Sequence, residues 1–265
     1  MSDIGHNTLK VVQLSDCHVS TDPRADYRGQ NADRNLKSLL PAIRNWNPDL
    51  VLLTGDVSED ASPSSYGRVA AMLGTISAPV LALPGNHDAP NLMKPHFPLG
   101  PWHGPFTRTA DPWLLVLLDS TVKGRISGSF SQPELDRLGQ CLRDSAAEFV
   151  LVALHHQPVP VNAPWIDRYG LESPAPFFET LDRDGRVRCI AWGHVHHDFQ
   201  ANRNGSVLLG APSAVANSQP GTQRFSLDPA GPACRWLELG AEGSVQTGLL
   251  RPGQSSTGNT SQRMR

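Results

Sequence analysis

The sequence predicts an α/β protein with two packed sheets, and three observations carry that expectation. Short apolar runs recur, and each stops at a polar cluster. Amphipathic stripes at helical spacing lie between several of the runs. The last third holds strand-like runs separated by turns, with little helical pattern between them.

The elements follow in order. Residues 9–15, LKVVQLS, stop at Asp16-Cys17-His18. Residues 33–46 set Leu36, Leu39, Leu40, Ile43 and Trp46 at helical spacing, with Pro41 as the one objection. DLVLLTG (49–55) stops at Asp56, and Ser62-Pro63 then opens a helix over 62–76 with a cap and a proline in its first turn. PVLALPG (79–85) hands over to Asn86-His87-Asp88, and WLLVLLD (113–119) to Ser120. SQPE starts a helix over 131–144 with a capping-box pattern, and Leu135, Leu138 and Leu142 form its stripe. EFVLVAL (148–154) stops at His155-His156, and RVRCIAWG (186–193) at His194-Val195-His196. GSVLLGAP (205–212), CRWLELG (234–240) and GSVQTGLL (243–250) complete the strands. Continuous apolar runs of this length read as strands buried on both faces. Residues 9–250 are expected to form one domain, and the polar tail 251–265 to lack fixed structure.

Composition narrows the function classes. A net charge of −2 gives no basic field for nucleic acid, and no apolar run approaches a membrane span. The scattered Cys17, Cys141, Cys189 and Cys234 form no CxxC pair, so neither a structural zinc site nor a disulfide framework is expected. The first residues, MSDIGHNTLK, lack the basic start and apolar stretch of a signal peptide. A cytoplasmic location is the resulting expectation.

Five strand ends, DCH, GDVSED, GNHD, HH and GHVH, concentrate the metal-capable side chains. Sites in open α/β sheets form at such carboxyl ends. One histidine there is usually structural, but five converging ends would need five independent structural reasons. In extended backbone, residues two apart face the same way. Asp16 and His18 would then reach one ion together, as would His194 and His196. Only one of His155 and His156 would point inward, and only one of Asn86 and His87 would bind metal directly. Imidazole, carboxylate and amide oxygen suit first-row transition ions such as manganese, iron or zinc. Structural readings stand beside these: Asp60 and Asp88 as helix caps, Trp165 and Tyr169 as packing rather than base-stacking rings, Arg28 and Arg125 as ordinary surface charges rather than phosphate contacts, His156 and His197 as supporting or solvent-facing groups, and His6, His96 and His103 as surface residues.

Asp16-x-His18, Gly55-Asp56, Gly85-Asn86-His87-Asp88, His155-His156 and Gly193-His194-Val195-His196, in this order, resemble the calcineurin-like metallophosphoesterases. Further stretches, LTGDVSEDASPSSY, HHQPVPVNAPWIDRYGL, GAPSAVANSQPG and CRWLELGAEGSVQT, extend the resemblance to bacterial class III cyclic AMP phosphodiesterases over about residues 9–248. The resemblance implies a four-layer α-β-β-α sandwich with two metal ions, iron or manganese foremost and zinc a further option. It implies one ion on Asp16, His18 and His196, a second on Asn86, His155 and His194, and Asp56 bridging them. It implies hydrolysis of 3′,5′-cyclic AMP to 5′-AMP by a metal-bridging hydroxide. His87 would be the general acid, and His18, Asp56, Asn86, His87 and His196 would face the nucleotide. Glu59, Asp60 and Asp88 are equal candidates to orient His87. Other phosphoesters (2′,3′-cyclic nucleotides, glycerophosphodiesters or phosphomonoesters) are the alternative substrates, and a non-catalytic metal-binding scaffold is a third reading. Cys17, Gln157 and Asn217-Ser218 depart from those relatives and bear on the pocket rim. Oligomeric state is not fixed by the sequence.

Overall fold

The computed structural model of the chain describes residues 8–253 and 262–263. In chain order the elements are β1 (Leu9–Leu14), β2 (Asp26–Tyr27), β3 (Gln30–Asn31), α1 (Ala32–Trp46), β4 (Leu50–Thr54), α2 (Pro63–Leu73), β5 (Val80–Leu83) and α3 (Pro90–Met93). Then come β6 (Phe106–Ala110), β7 (Trp113–Leu117), α4 (Gln132–Asp144), β8 (Phe149–Leu154), α5 (Pro164–Asp167), α6 (Ala175–Asp182) and β9 (Val187–Trp192). The chain closes with β10 (Phe199–Arg203), β11 (Ser206–Gly210), β12 (Cys234–Leu239), β13 (Val245–Leu250) and β14 (Gln262–Arg263). The expected unstructured tail lies largely outside the described residues, at 254–261 and 264–265, and so do residues 1–7 with His6.

The strands form two mixed six-stranded sheets, ordered β14-β13-β12-β1-β4-β5 and β10-β11-β9-β8-β7-β6. Strands β1, β4 and β5 run parallel, as do β7, β8, β9 and β11; the antiparallel strands lie toward the edges. Alternation along each strand builds the layers. Val12 and Leu14 of β1, with Val51 and Leu53 of β4, pack with Leu36, Leu39, Ile43, Tyr66 and Val69 of α1 and α2. Their neighbours Val11 and Leu52 turn the other way and meet Leu115, Leu151 and Ala191 of the second sheet. Val152, Ile190 and Leu208 then face Leu135, Leu138 and Phe177 of α4 and α6. The order is helix, sheet, sheet, helix. Each fully buried Leu or Val contributes about 1.5–3 kcal/mol, so a one-residue slip of a central strand would exchange two cores at once.

The caps act as the sequence implies. Ser62 accepts from Ser65 N–H at 3.2 Å, and Glu134 accepts from Ser131 N–H at 2.7 Å. Pro41 sits inside α1 on the exposed side, and the helix continues past it because the buried stripe from Leu36 to Trp46 holds both halves to the sheet. Edge strands β6 and β10 and the β2–β3 hairpin are additions that carry little apolar periodicity of their own, and α6 adds a short buried face of Phe177, Phe178 and Leu181. No helix among the described residues is long and apolar enough to cross a membrane.

Candidate metal centre

The carboxyl ends of β1, β4, β5, β8 and β9 meet at one place along the seam between the sheets. Gln13 ties that seam from the inside, donating to Thr54 Oγ1 at 3.1 Å and to the Trp192 carbonyl at 3.0 Å. Beyond β1 and β4 the chain leaves the sheet in step: Asp16 N–H donates to Gly55 O and His18 N–H to Asp56 O, both at 3.0 Å.

The extended-backbone expectation fails here. Asp16, His18, Asp56, His194 and His196 all have positive φ, between 42° and 68°. Strand alternation therefore stops before the site, and each residue turns its side chain independently. His194 and His196 separate as a result. The His196 ring lies 5.2 Å from His18, and the His194 ring 5.0 Å from His155. Left-handed backbone at a residue with a side chain costs about 1–2 kcal/mol, and such strain concentrates at functional sites. Two glycines allow the close approach. A Cβ on Gly85 would stand 2.2 Å from Asp56 Oδ1, and one on Gly193 would stand 2.0 Å from Ser15 Oγ.

The side chains fall into two clusters. In the first, His18 Nδ1 donates to Glu59 Oε2 at 2.7 Å and His196 Nδ1 to the Ala216 carbonyl at 2.7 Å. In those neutral tautomers both Nε2 atoms are bare acceptors, 3.3 Å apart. Asp16 Oδ1 lies 3.3 Å from His196 Nε2 and 4.0 Å from His18 Nε2. In the second cluster, His155 Nδ1 donates to the Thr54 carbonyl at 2.8 Å, and His194 Nε2 to the Tyr169 carbonyl at 3.2 Å. Asn86 Oδ1 lies 3.2 Å from His155 Nε2. Asp56 joins the clusters through a single atom: its Oδ2 is 3.7 Å from His18 Nε2 and 3.5 Å from His155 Nε2.

Charge is distributed accordingly. Burial works against a carboxylate at Asp56, but His155, His18 and His87 hold its pKa well below the ordinary range. Burial likewise opposes charge on His155, yet Asp56 beside it pushes the imidazole up to about 9. Burial drives His194 well below its usual value, with His156 and His155 adding to the effect. His156 is pushed down to about 3 by burial and then by His155. Its ring is fully committed, with Nε2 donating to Ile126 O at 2.9 Å and Nδ1 accepting from Ser120 Oγ at 2.8 Å. A ligand atom of His156 also lies within 4.8 Å of those of His155 and His194, but both ring nitrogens already have these partners.

His87 stands at the rim with 36% of its side chain exposed. Its ring meets His18 edge-on at 5.0 Å, and its Nδ1 lies 3.2 Å from Glu59 Oε2. Glu59 is thus the carboxylate at His87, and the same oxygen serves His18. Asp88 does something else: it accepts from the N–H groups of Gly85, Val57 and Ser58 at 2.9–3.2 Å. It does not cap α3, whose cap position is Ala89. Asp60 accepts from Ser58 Oγ, and from Thr21 N–H at 2.6 Å. Cys17 points away from the cage into the core under α1.

Sequence reasoning did not find Tyr27. Its ring stacks on His18 with centroids 4.0 Å apart, and its hydroxyl lies 3.0 Å from His18 Nε2. Burial raises its pKa, so the phenol stays protonated. Nothing in DYRGQN, a polar turn sequence, marks that direction. The carbonyls of Thr54, Tyr169 and Ala216 were equally invisible, since backbone acceptors leave no residue signature.

The donor set is a test of fit for metal. With their outer ring protons committed, His18 and His196 turn unprotonated Nε2 atoms toward the Asp16 carboxylate, while at His155 the Asp56 carboxylate favours a proton that a cation would displace. Asp16, His18 and His196 can bring ligand atoms within 4.8 Å of one another, as can Asp16, Asp56 and His155. A cation satisfies such a cage, and imidazole with oxygen donors and no thiolate matches first-row transition ions. The residues fit a two-cation centre.

Comparisons with known proteins show the family and the fold. Residues 9–198 match the family model for calcineurin-like phosphoesterases. A protein of Pseudomonas aeruginosa named 3′,5′-cyclic adenosine monophosphate phosphodiesterase CpdA is 34% identical over 246 residues, covering 92% of this chain and 90% of that protein. The Haemophilus influenzae protein of the same name is 32% identical over 246 residues, with the same coverage of 92% and 90%. Among solved structures, a dimetal phosphatase from Danio rerio superposes with a TM-score of 0.67 at 16% identity, over 92% of this chain and 99% of that one, and shares the fold. With its fold, its paired clusters and the matched span in view, the chain belongs to the calcineurin-like phosphoesterase family.

Proposed function

We propose that the chain hydrolyses 3′,5′-cyclic AMP to 5′-AMP, with residues 9–250 acting as one catalytic unit. Asp16, His18 and His196 would hold one cation and Asn86, His155 and His194 a second, with Asp56 shared. Iron or manganese are the foremost occupants, and zinc also suits the donors. Bound there, two cations supply charge to clamp a phosphodiester and to acidify a coordinated water.

The chain's own residues do the rest. Asp56 sets the separation of the two clusters through one oxygen and is itself held by His87 N–H, donated to Oδ1 at 2.9 Å. Glu59 takes the Nδ1 side of His87, 3.2 Å away, and leaves Nε2 as the nitrogen from which a proton would be delivered. As the water oxygen bonds to phosphorus, the P–O3′ bond breaks with its electron pair on O3′. His87 Nε2 then gives that oxygen a proton. General acids in such positions contribute about 10²–10⁴-fold.

The observation that carries this reading is the single Asp56 oxygen between two clusters of metal-capable side chains, with the exposed His87 beside it. The names of the bacterial relatives support cyclic AMP as the substrate. The test is hydrolysis of 3′,5′-cyclic AMP by protein reconstituted with manganese or iron, with a chelator control and chromatography of the product. Formation of 5′-AMP, at a kcat/KM above those for 2′,3′-cyclic AMP, glycerophosphodiesters and phosphomonoesters, is expected. A clear preference for any of the others would reassign the substrate.

A further inference from the structure

Beside the first cluster stands a group that the mechanism above leaves unused. The β2–β3 hairpin turns through Arg28 and Gly29, both at positive φ, 53° and 80°. Two-residue hairpin loops of that kind favour Asn, Asp or Gly at the first position. Arginine there is strained, and strain retained at a site's edge points to a function for the side chain.

The guanidinium is held in place without being neutralised. It lies 4.2 Å over the Phe225 ring, 5.7 Å from Trp165 and 5.5 Å from Tyr27. Each of those three rings has its centroid 6.2 Å from the His196 ring. Among the described residues no carboxylate pairs with Arg28. Its Nε donates to Tyr27 Oη at 3.2 Å. The Glu59 carboxylate selects the donor directions along this chain of contacts. Glu59 accepts the Nδ1 proton of His18, so His18 Nε2 is an acceptor and Tyr27 O–H must donate to it. A cation taking the His18 Nε2 lone pair strips Tyr27 of its acceptor. The phenol O–H and the Arg28 Nη groups would then be donors without a partner among the described residues at the mouth of an anion-binding site, with Arg28 Nε still on Tyr27 Oη.

We propose that Tyr27 and Arg28 are the phosphate grip of this site, donating their O–H and N–H groups to the phosphoryl oxygens of the phosphoester. The assignment rests on the phosphoesterase reading but not on cyclic AMP as the substrate. Stacking on three aromatic rings pre-orients the guanidinium, which lowers the entropy lost when an anion binds.

The test uses the full chain loaded with manganese. The readouts are calorimetric affinity for inorganic phosphate, and KM and kcat for bis(p-nitrophenyl) phosphate. Arg28→Asn relieves the backbone strain, so the fold should be as stable as wild type or more so. Its phosphate affinity should still fall roughly tenfold, the range of a charge-assisted hydrogen bond. KM should rise in step and kcat change little. Tyr27→Phe keeps the ring on His18 and should weaken phosphate roughly fivefold, as for a neutral hydrogen bond, with manganese affinity equal to wild type or tighter. Phosphate affinity within twofold of wild type in both variants would overturn the proposal. Weaker manganese binding in Tyr27→Phe would overturn it as well, because Tyr27 would then serve the cation. If wild type cleaves the artificial diester but not cyclic AMP, and the variants behave as stated, the substrate assignment fails and the grip stands.

Discussion

The two clusters are oriented by different means. In the first, Asp16, His18 and His196 are all buried, and the Tyr27 ring roofs them. His18 is oriented by a side chain, Glu59. His196 is oriented by the Ala216 carbonyl, in a loop that Ser213 organises by accepting from Val215 and Ala216 N–H at 2.9 and 3.0 Å. In the second cluster both histidines are aimed by main-chain carbonyls, Thr54 and Tyr169. Asn86 is only half-buried there and adjoins the exposed His87. A ligand oriented by a side chain can be loosened by one substitution. A ligand oriented by a main-chain carbonyl can be loosened only by moving the backbone that carries it, which no single side chain does in the second cluster. The first cluster should therefore be tunable and the second resistant.

The largest effect falls on the shared atom. Asp56→Ala removes the one contact common to both clusters and should lower activity on the order of 10³-fold or more, with both cations weakened; elemental analysis after gel filtration reads this directly. His87→Ala comes next. It should cost roughly 10²–10⁴-fold in kcat on an unactivated diester while cation content stays at wild type, which separates proton delivery from metal holding. An unchanged kcat would falsify the role given to His87. Glu59→Gln tests the asymmetry itself: cation affinity at the first cluster should drop about 10–100-fold, with the second unaffected in a two-site titration. Ser213→Ala should do the same more weakly, by roughly tenfold or less. Equal losses at both sites in these two variants would remove the distinction between the clusters.

The smallest effect is a proton count. Asp56 pushes His155 up to about 9, so its imidazole is protonated at neutral pH. A cation taking His155 Nε2 must displace that proton. Loading of the second cluster should thus release about one proton at pH 7, and its affinity should weaken as pH falls from about 9. Calorimetry in buffers of different ionisation enthalpy measures this, and a pH-independent affinity would contradict it.

Much of the fold could be read from the sequence because both sheets are buried on both faces. LVLLT and FVLVAL have no alternative to a central strand, and Ser62-Pro63 and SQPE mark helix starts by their chemistry. The polar edge strands, such as FTRTA and FQANR, escaped because exposed residues carry no period. At the site, residue types in order were enough to gather the cage, but alternation misassigned the partners of His194 and His196, because left-handed backbone breaks the two-residue period where the ligands begin. The choice among Glu59, Asp60 and Asp88 needed coordinates, since all three lie within a few residues of a helix start and only Asp88 is near His87 along the chain. Asp88 turned out to bind three backbone amides, a role that no sequence pattern marks.

The most direct measurement is electron paramagnetic resonance of the protein titrated with manganese, read beside the metal content. Two manganese ions per chain with an exchange-coupled spectrum, lost in Asp56→Ala, are expected from one carboxylate oxygen set between the clusters. A single ion, or two that remain magnetically isolated, would contradict a shared Asp56 and with it the paired centre.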